Sequence, residues 1–214
     1  MNDASGPGIA REEFPRYFGN YVLLTNFAKG GMGDVYLAKT GGIESVDRLC
    51  VLKKLRPDVA VSAEYVRRFM DEARIVVQLS HANIAHVFDA GTVGSEVYLA
   101  MEYVPGANLR DVFARINDSK NAADPGLVAL IMCDILDALD YAHQLRNPKT
   151  GKLLNVVHRD VSPQNILVSF DGSVKLIDFG LAASDLKTEH TESEVVMGKV
   201  AYMSPEQALS LIHI

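Results

Sequence analysis

His158-Arg159-Asp160-Val161-Ser162-Pro163-Gln164-Asn165 is the stretch that decides the fold, and two shorter strings stand behind it: Asp178-Phe179-Gly180 and Ser204-Pro205-Glu206. Between the first two lie Ile166-Leu167-Val168 and Val174-Lys175-Leu176-Ile177, short apolar or alternating runs joined through Asp171-Gly172. Runs of this length around an Asp-Gly turn predict a β-hairpin, which brings Asn165 and Asp178 to one place. Each triplet alone could arise by chance, whereas the ordered set with this spacing is highly specific.

Over about residues 20 to 208 the chain resembles the eukaryotic-like (Hanks-type) serine/threonine protein kinases of bacteria, on His158-Arg159-Asp160 with Asn165, Asp178-Phe179-Gly180 and Ser204-Pro205-Glu206. The resemblance implies an α+β, two-lobed fold with a small β-rich lobe and a larger helical lobe. It also implies ATP and Mg²⁺ as cofactors and phosphoryl transfer to protein hydroxyls. In the H-R-D-x-x-x-x-N pattern Asp160 accepts or orients the hydroxyl proton, while Asn165 and Asp178 are the metal ligands. Arg159 is the residue that pairs with a phosphorylated activation loop, for which Thr191 and Ser193 are the candidates. Pro163 and Gln164 keep the serine/threonine pattern and lack the Ala-Arg character of tyrosine kinases.

Upstream, Gly30-Gly31-Met32-Gly33-Asp34-Val35 separates apolar runs at Tyr21 to Phe27 and Val35 to Ala38, as in a hairpin over a nucleotide. Glycines let backbone amides approach phosphates with no Cβ in the way. Aligning Gly30 and Gly33 with the last two glycines of G-x-G-x-x-G puts Ala28 at the first. The implied nucleotide contacts are Phe27, Ala28, Gly30, Gly31, Gly33, Val35, Val51, Lys53, Met101 as gatekeeper, the backbones of Glu102 and Val104, and Leu167. Lys53 matches the lysine of V-A-I-K, and alternation along Leu49 to Lys53 turns Lys54 to the opposite face, as a surface lysine. Its partner is Glu72, on a helix read from Ser62 to Leu79 through Val66, Phe69, Ala73 and Val76. Asp71 points roughly 100° away on that helix.

Two departures belong together. The lysine of H-R-D-x-K-P-x-N is replaced by Ser162, and the threonine that usually follows Gly198 is replaced by Lys199. In the family those two side chains meet beside the catalytic aspartate, so Lys199 is read as supplying the missing cation and Ser162 the hydroxyl. A pseudokinase or binding scaffold is the first rival reading, opposed by Lys53, Glu72, Asp160, Asn165 and Asp178 and kept open by Ala28, Ser162 and the expected truncation. A small-molecule phosphotransferase of related fold is the second, disfavoured by Arg159 and the Ser-Pro-Glu element.

Composition fits this account. At 214 residues, 48% hydrophobic and net charge −6, the chain suits one large or two small cores, and its acidic balance argues against nucleic acid as a partner. A protein substrate is expected, with a second copy as partner for trans-autophosphorylation. Cys50 and Cys133 lack metal-ligand spacing and read as buried reduced thiols of a cytosolic protein. The apolar stretch from Leu127 to Leu145 carries Asp134, Asp137 and Asp140, which makes it an amphipathic helix rather than a membrane span.

The expected organisation is a flexible leader over 1–19, a small lobe over 20–104, and a partial large lobe over 105–208, dividing near Pro105-Gly106. The hexapeptide Leu-Ser-Leu-Ile-His-Ile over 209–214 corresponds to a translation resembling the end of a transposon-based sequencing adaptor. It is read as non-native, with the natural protein continuing past residue 208 and any membrane tether lying there.

Overall fold

The computed structural model describes residues 13–29, 33–40, 48–55, 63–119, 121–179 and 202–205. Its first layer is a six-stranded antiparallel sheet of order β1-β2-β3-β4-β6-β5. The strands are β1 (Arg16–Phe18), β2 (Tyr21–Lys29), β3 (Gly33–Thr40), β4 (Leu49–Leu55), β5 (Val87–Val93) and β6 (Glu96–Glu102), and helix α1 (Ala63–Val76) lies between β4 and β5 in sequence.

Period-2 alternation gives this sheet two different faces. On the inner face, Leu55, Leu99 and Met101 pack into one core with Phe69, Ala73 and Val76 of α1, spaced at i, i+4 and i+7. On the outer face, Leu23, Tyr36, Ala38, Cys50, Leu52 and Ala100 form a second core, closed by Phe18 and Tyr21. Phe14, partly buried, packs against that second core.

This outer core corrects two expectations. The leader does not run to residue 19: β1 pairs with β2 through Arg16↔Leu23 and Phe18↔Tyr21, and Phe18 is buried. Three residues are too short for a periodicity signal, and what holds them is the apolar outer face. Lys54 lies on the face opposite Lys53, as expected, yet it is buried rather than solvated. Its ammonium sits 4.7 Å from the Phe18 ring centre and 5.5 Å from that of Tyr36, and pairs with Glu96 at 2.6 Å.

The second layer begins at β7 (Gly106–Asn108), which joins β8 (Ile166–Ser169) and β9 (Val174–Leu176) in a three-stranded sheet. The predicted hairpin is present, with Ile166↔Leu176 and Leu167↔Lys175 in register and Gly172 at φ 89° in its turn. At Gly106, a Cβ would overlap the Val168 carbonyl, so only glycine permits β7 to approach β8 this closely. Helix α2 (Leu109–Asp118) follows, capped by the Asn108 side chain, which accepts from the Asp111 amide at 2.9 Å.

Helix α3 (Pro125–Gln144) covers nearly the stretch expected. It starts two residues earlier because Asp124 caps it, accepting from the Gly126 amide at 2.7 Å, and Pro125 occupies the first turn. Ile131, Ile135, Ala138 and Ala142 form its buried stripe. Cys133 lies off that stripe and is exposed, so the expectation of two buried thiols holds for Cys50 alone. Among the described residues, no helix is long and apolar enough to cross a membrane.

Candidate active site

Register across three strands sets out the roof of the cleft. Ala28 pairs with Val35, Val35 with Lys53, and Lys53 with Leu99, while Val51 pairs with Met101. Alternation therefore puts Val35, Val51, Lys53 and Met101 on one face. Gly33 opens β3, where a Cβ would overlap the Lys54 carbonyl. Leu167 lies on β8 in the second sheet, half-buried and paired with Asn108 and Lys175. Gly30 and Gly31 fall outside the described residues.

Lys53 and Asp178 are far apart in sequence, yet the ammonium is 2.9 Å from Asp178 Oδ1. What aligns them is the segment between α1 and β5, which is bonded to β9. Ala85 N–H donates to Leu176 O at 3.0 Å, Leu176 N–H donates to Asn83 O at 2.8 Å, and Asn83 Nδ2 donates to Val174 O at 3.1 Å. Those bonds anchor the first sheet's connecting segment to the strand that leads into Asp178. Glu72 lies on α1 as expected, but its side chain is outside the described portion, so the Lys53 contact that is seen is with Asp178.

The connection between the sheets is likewise fixed. Glu102 N–H donates to His86 O at 2.8 Å, which ties the end of β6 to the residue before β5. The Glu102 carboxylate accepts from His86 N–H at 3.1 Å and pairs with Lys175 of β9 at 3.0 Å. Val104 is buried two residues further on. Sequence reasoning did not find Lys175: a lysine in a short strand carries no signal of its distant carboxylate.

Around Asp160 the loop is organised by a buried histidine. His158 is 2% exposed and its ring packs against Phe179 with centroids 4.6 Å apart. The Asp160 amide can only donate, so His158 Nδ1, 3.2 Å away, is the acceptor, and the proton resides on Nε2, 2.8 Å from Ile177 O. Burial holds the His158 pKa below its ordinary 6.5, against the opposing pull of the Ile177 carbonyl and of Asp160 and Asp178. A neutral imidazole thus ties the Asp160 backbone to the residue preceding Asp178.

Asn165 completes the network. Its Nδ2 donates to Asp160 O at 2.7 Å, and its own carbonyl accepts from Ile177 N–H at 2.9 Å. Its amide oxygen Oδ1 therefore turns to the side away from the Asp160 carbonyl. Arg159 and Asp178 adopt φ of 64° and 61°, unusual for side chains other than glycine and worth about 1–3 kcal/mol of strain each. Such strain persists where surroundings over-determine it, as these bonds do. Arg159 is exposed and Asp160 half-buried.

Ser162 is 4% exposed, and its hydroxyl has no hydrogen-bond partner among the described residues. It borders an apolar cavity of about 190 Å³ lined by Leu109, Phe113, Ile131, Pro163 and Tyr202. Lys199, Thr191, Ser193 and residues 209–214 lie outside the described residues.

Comparison with known proteins agrees with this architecture. The protein kinase domain family matches residues 21–210. Tyrosine-protein kinase MasK of Myxococcus xanthus is 35% identical over 191 residues, which are 89% of this chain and 29% of that protein. Serine/threonine-protein kinase PrkC of Bacillus subtilis is 36% identical over 193 residues, 90% of this chain and 27% of that protein. The crystal structure of the Mycobacterium tuberculosis PknI kinase domain superposes with a TM-score of 0.64 at 30% identity, covering 79% of this chain and 61% of that one. The chain thus spans less than a third of the length of MasK or PrkC. With the two sheets, the connecting segment and the His158–Asn165 loop in one arrangement, the chain belongs to the protein kinase domain family and has the two-lobed kinase fold.

Proposed function

We propose that this chain catalyses ATP-dependent phosphorylation of serine and threonine hydroxyls on proteins. The observation that carries the reading is the 2.9 Å contact of Lys53 with Asp178, beside the loop in which His158 and Asn165 hold Asp160. Phosphoryl transfer asks for positioning and charge neutralisation more than covalent chemistry, and this cluster offers both.

Asp160 accepts the proton of the attacking hydroxyl. Lys53, with Glu72 as its partner, meets the phosphates, and the glycine turn through Gly30, Gly31 and Gly33 lies over them. Asn165 and Asp178 would hold Mg²⁺. The donor set suits that ion: Asn165 retains its amide oxygen, and Asp178 retains one carboxylate oxygen not engaged by Lys53. Among the described residues, no group of three or more His, Cys, Asp or Glu side chains is placed to hold a metal ion by itself. An ion here would take its other ligands from phosphate and water, as Mg²⁺ does. When bound, the ion neutralises charge on the phosphates. Phe27, Ala28, Val35, Val51, Met101, Glu102, Val104 and Leu167 enclose the base.

Lys199 supplies the cation that Ser162 lacks. The reading is supported by the buried Ser162 hydroxyl, which has no partner among the described residues, since such a group costs about 1–3 kcal/mol until a donor such as an ammonium meets it. Arg159 takes the phosphate of a modified Thr191 or Ser193.

The test is transfer of the labelled γ-phosphoryl group from ATP by the full-length protein, with Asp160→Asn as its control. Equal transfer by both proteins would refute the assignment of Asp160, and nucleotide binding without any transfer by wild type would favour a binding scaffold.

A further inference from the structure

β2 does not run evenly into the glycine turn. Its register with β3 passes from Asn26↔Tyr36 to Ala28↔Val35, so Phe27 is an extra residue with no partner on β3. A bulge of this kind re-aims a side chain, and bulges gather next to functional sites. Here Asn26 lies opposite Tyr36 of the outer core and Ala28 opposite Val35 of the inner face, and Phe27 is turned out of both rows.

Although it is 49% exposed, Phe27 is not left to solvent. Its ring stacks on Tyr103 with centroids 6.1 Å apart and planes at 21°. Tyr103 is the residue after Glu102, in the segment that connects the first sheet to β7. The stack therefore bridges the strand that enters the glycine turn and the connection between the lobes. These are the two walls between which a base would pass to reach the row formed by Val51, Lys53 and Met101. Parallel rings this close leave no room for a third aromatic layer between them, so the stack must part before a base can cross.

We infer that Phe27 and Tyr103 form an aromatic clasp that governs how long a nucleotide stays in the cleft. Stacking of this kind adds roughly 3- to 10-fold to an equilibrium or a rate, beyond the area it covers. Because the stack must part in either direction and re-forms once the nucleotide is in place, it slows entry and exit alike, so residence lengthens with little change in affinity. Neither residue needs to touch the phosphates, so the chemistry step is not where the effect lies.

The inference rests on the nucleotide reading of the cleft, and the measurement separates the two. mant-ATP bound to the full-length protein with Mg²⁺ is chased with excess unlabelled ATP, and dissociation is followed by fluorescence; unlabelled ATP affinity is read by competition. Phe27→Ala and Tyr103→Ala should each speed dissociation about 3- to 10-fold, and the double variant should be no faster than the faster single. Tyr103→Phe, which keeps the ring, should behave as wild type, and the alanine variants should lose no more than a few degrees in Tm. Dissociation rates that are unchanged, or that multiply in the double variant, would overturn the clasp while leaving the site intact. Failure of wild type to bind mant-ATP at all would overturn the nucleotide reading and the clasp with it.

Discussion

Adjacent lysines on opposite faces of β4 make opposite demands, and replacing each with methionine separates them. Lys53 is 2.9 Å from Asp178, with side chains 16% and 32% exposed. At that distance and an effective dielectric near 20, the Coulomb attraction is about 6 kcal/mol, but desolvating both groups offsets most of it. With a third of Asp178 in water, solvent takes over once the lysine is gone. The net stability loss for Lys53→Met is then about 1 kcal/mol, or a fall in Tm of about 2–4 °C. Transfer is another matter, because a preorganised cation beside developing phosphate charge is worth about 10²–10³-fold in rate. Lys54→Met should do the reverse. It removes a buried ammonium lying over Phe18 and Tyr36 and paired with Glu96, costing about 1–2 kcal/mol of stability and leaving transfer within a few-fold of wild type. Thermal melts and labelled phosphate transfer in the full-length protein read both quantities. Transfer by Lys53→Met within tenfold of wild type, or a fall in its Tm beyond about 10 °C, would refute the reasoning.

Three further outcomes are expected. Gly106→Ala should cost about 1–3 kcal/mol by thermal melt, because its Cβ overlaps the Val168 carbonyl and β7 must retreat from β8; an unchanged melt would show that the connection is looser than it looks. Cys133 should react with iodoacetamide in the native protein at pH 8 while Cys50 does not, since Cys133 is exposed and burial pushes the Cys50 thiol up to about 11. The sign follows from that raised value: the contribution of a neutral Cys50 is full below pH 9 and is lost as pH rises towards 11, which peptide mass spectrometry and alkaline melts would check. Finally, Lys199→Thr should lower transfer by about 10²-fold and Ser162→Lys in the same chain should restore it; no restoration would separate those two positions.

Much of the site is legible in the sequence because its residues come in fixed local strings. His158 to Asn165 and the hairpin after it appear where the Asp-Gly turn and alternating runs put them. What is not legible depends on contacts between distant strands. Lys54 reads as a surface lysine because alternation gives its face but not the cover that Phe14 and Phe18 lay over that face. Lys175 and Glu102 find each other only once β9 lies beside the connection between lobes. Phe27 meets Tyr103 through a bulge, and a bulge has no period to detect. Cys133 is exposed because the buried stripe of α3 runs through Ile131, Ile135, Ala138 and Ala142, a choice among apolar faces that an apolar helix does not announce.

The chemical identity of the acceptor separates a serine/threonine kinase from any other phosphotransferase. Full-length protein incubated with γ-labelled ATP and Mg²⁺, with Asp160→Asn in parallel, is hydrolysed and its labelled amino acids are separated. Phosphoserine or phosphothreonine is expected in the wild type and none in the variant. Phosphotyrosine as the only labelled residue, or label of equal intensity in Asp160→Asn, would contradict that expectation.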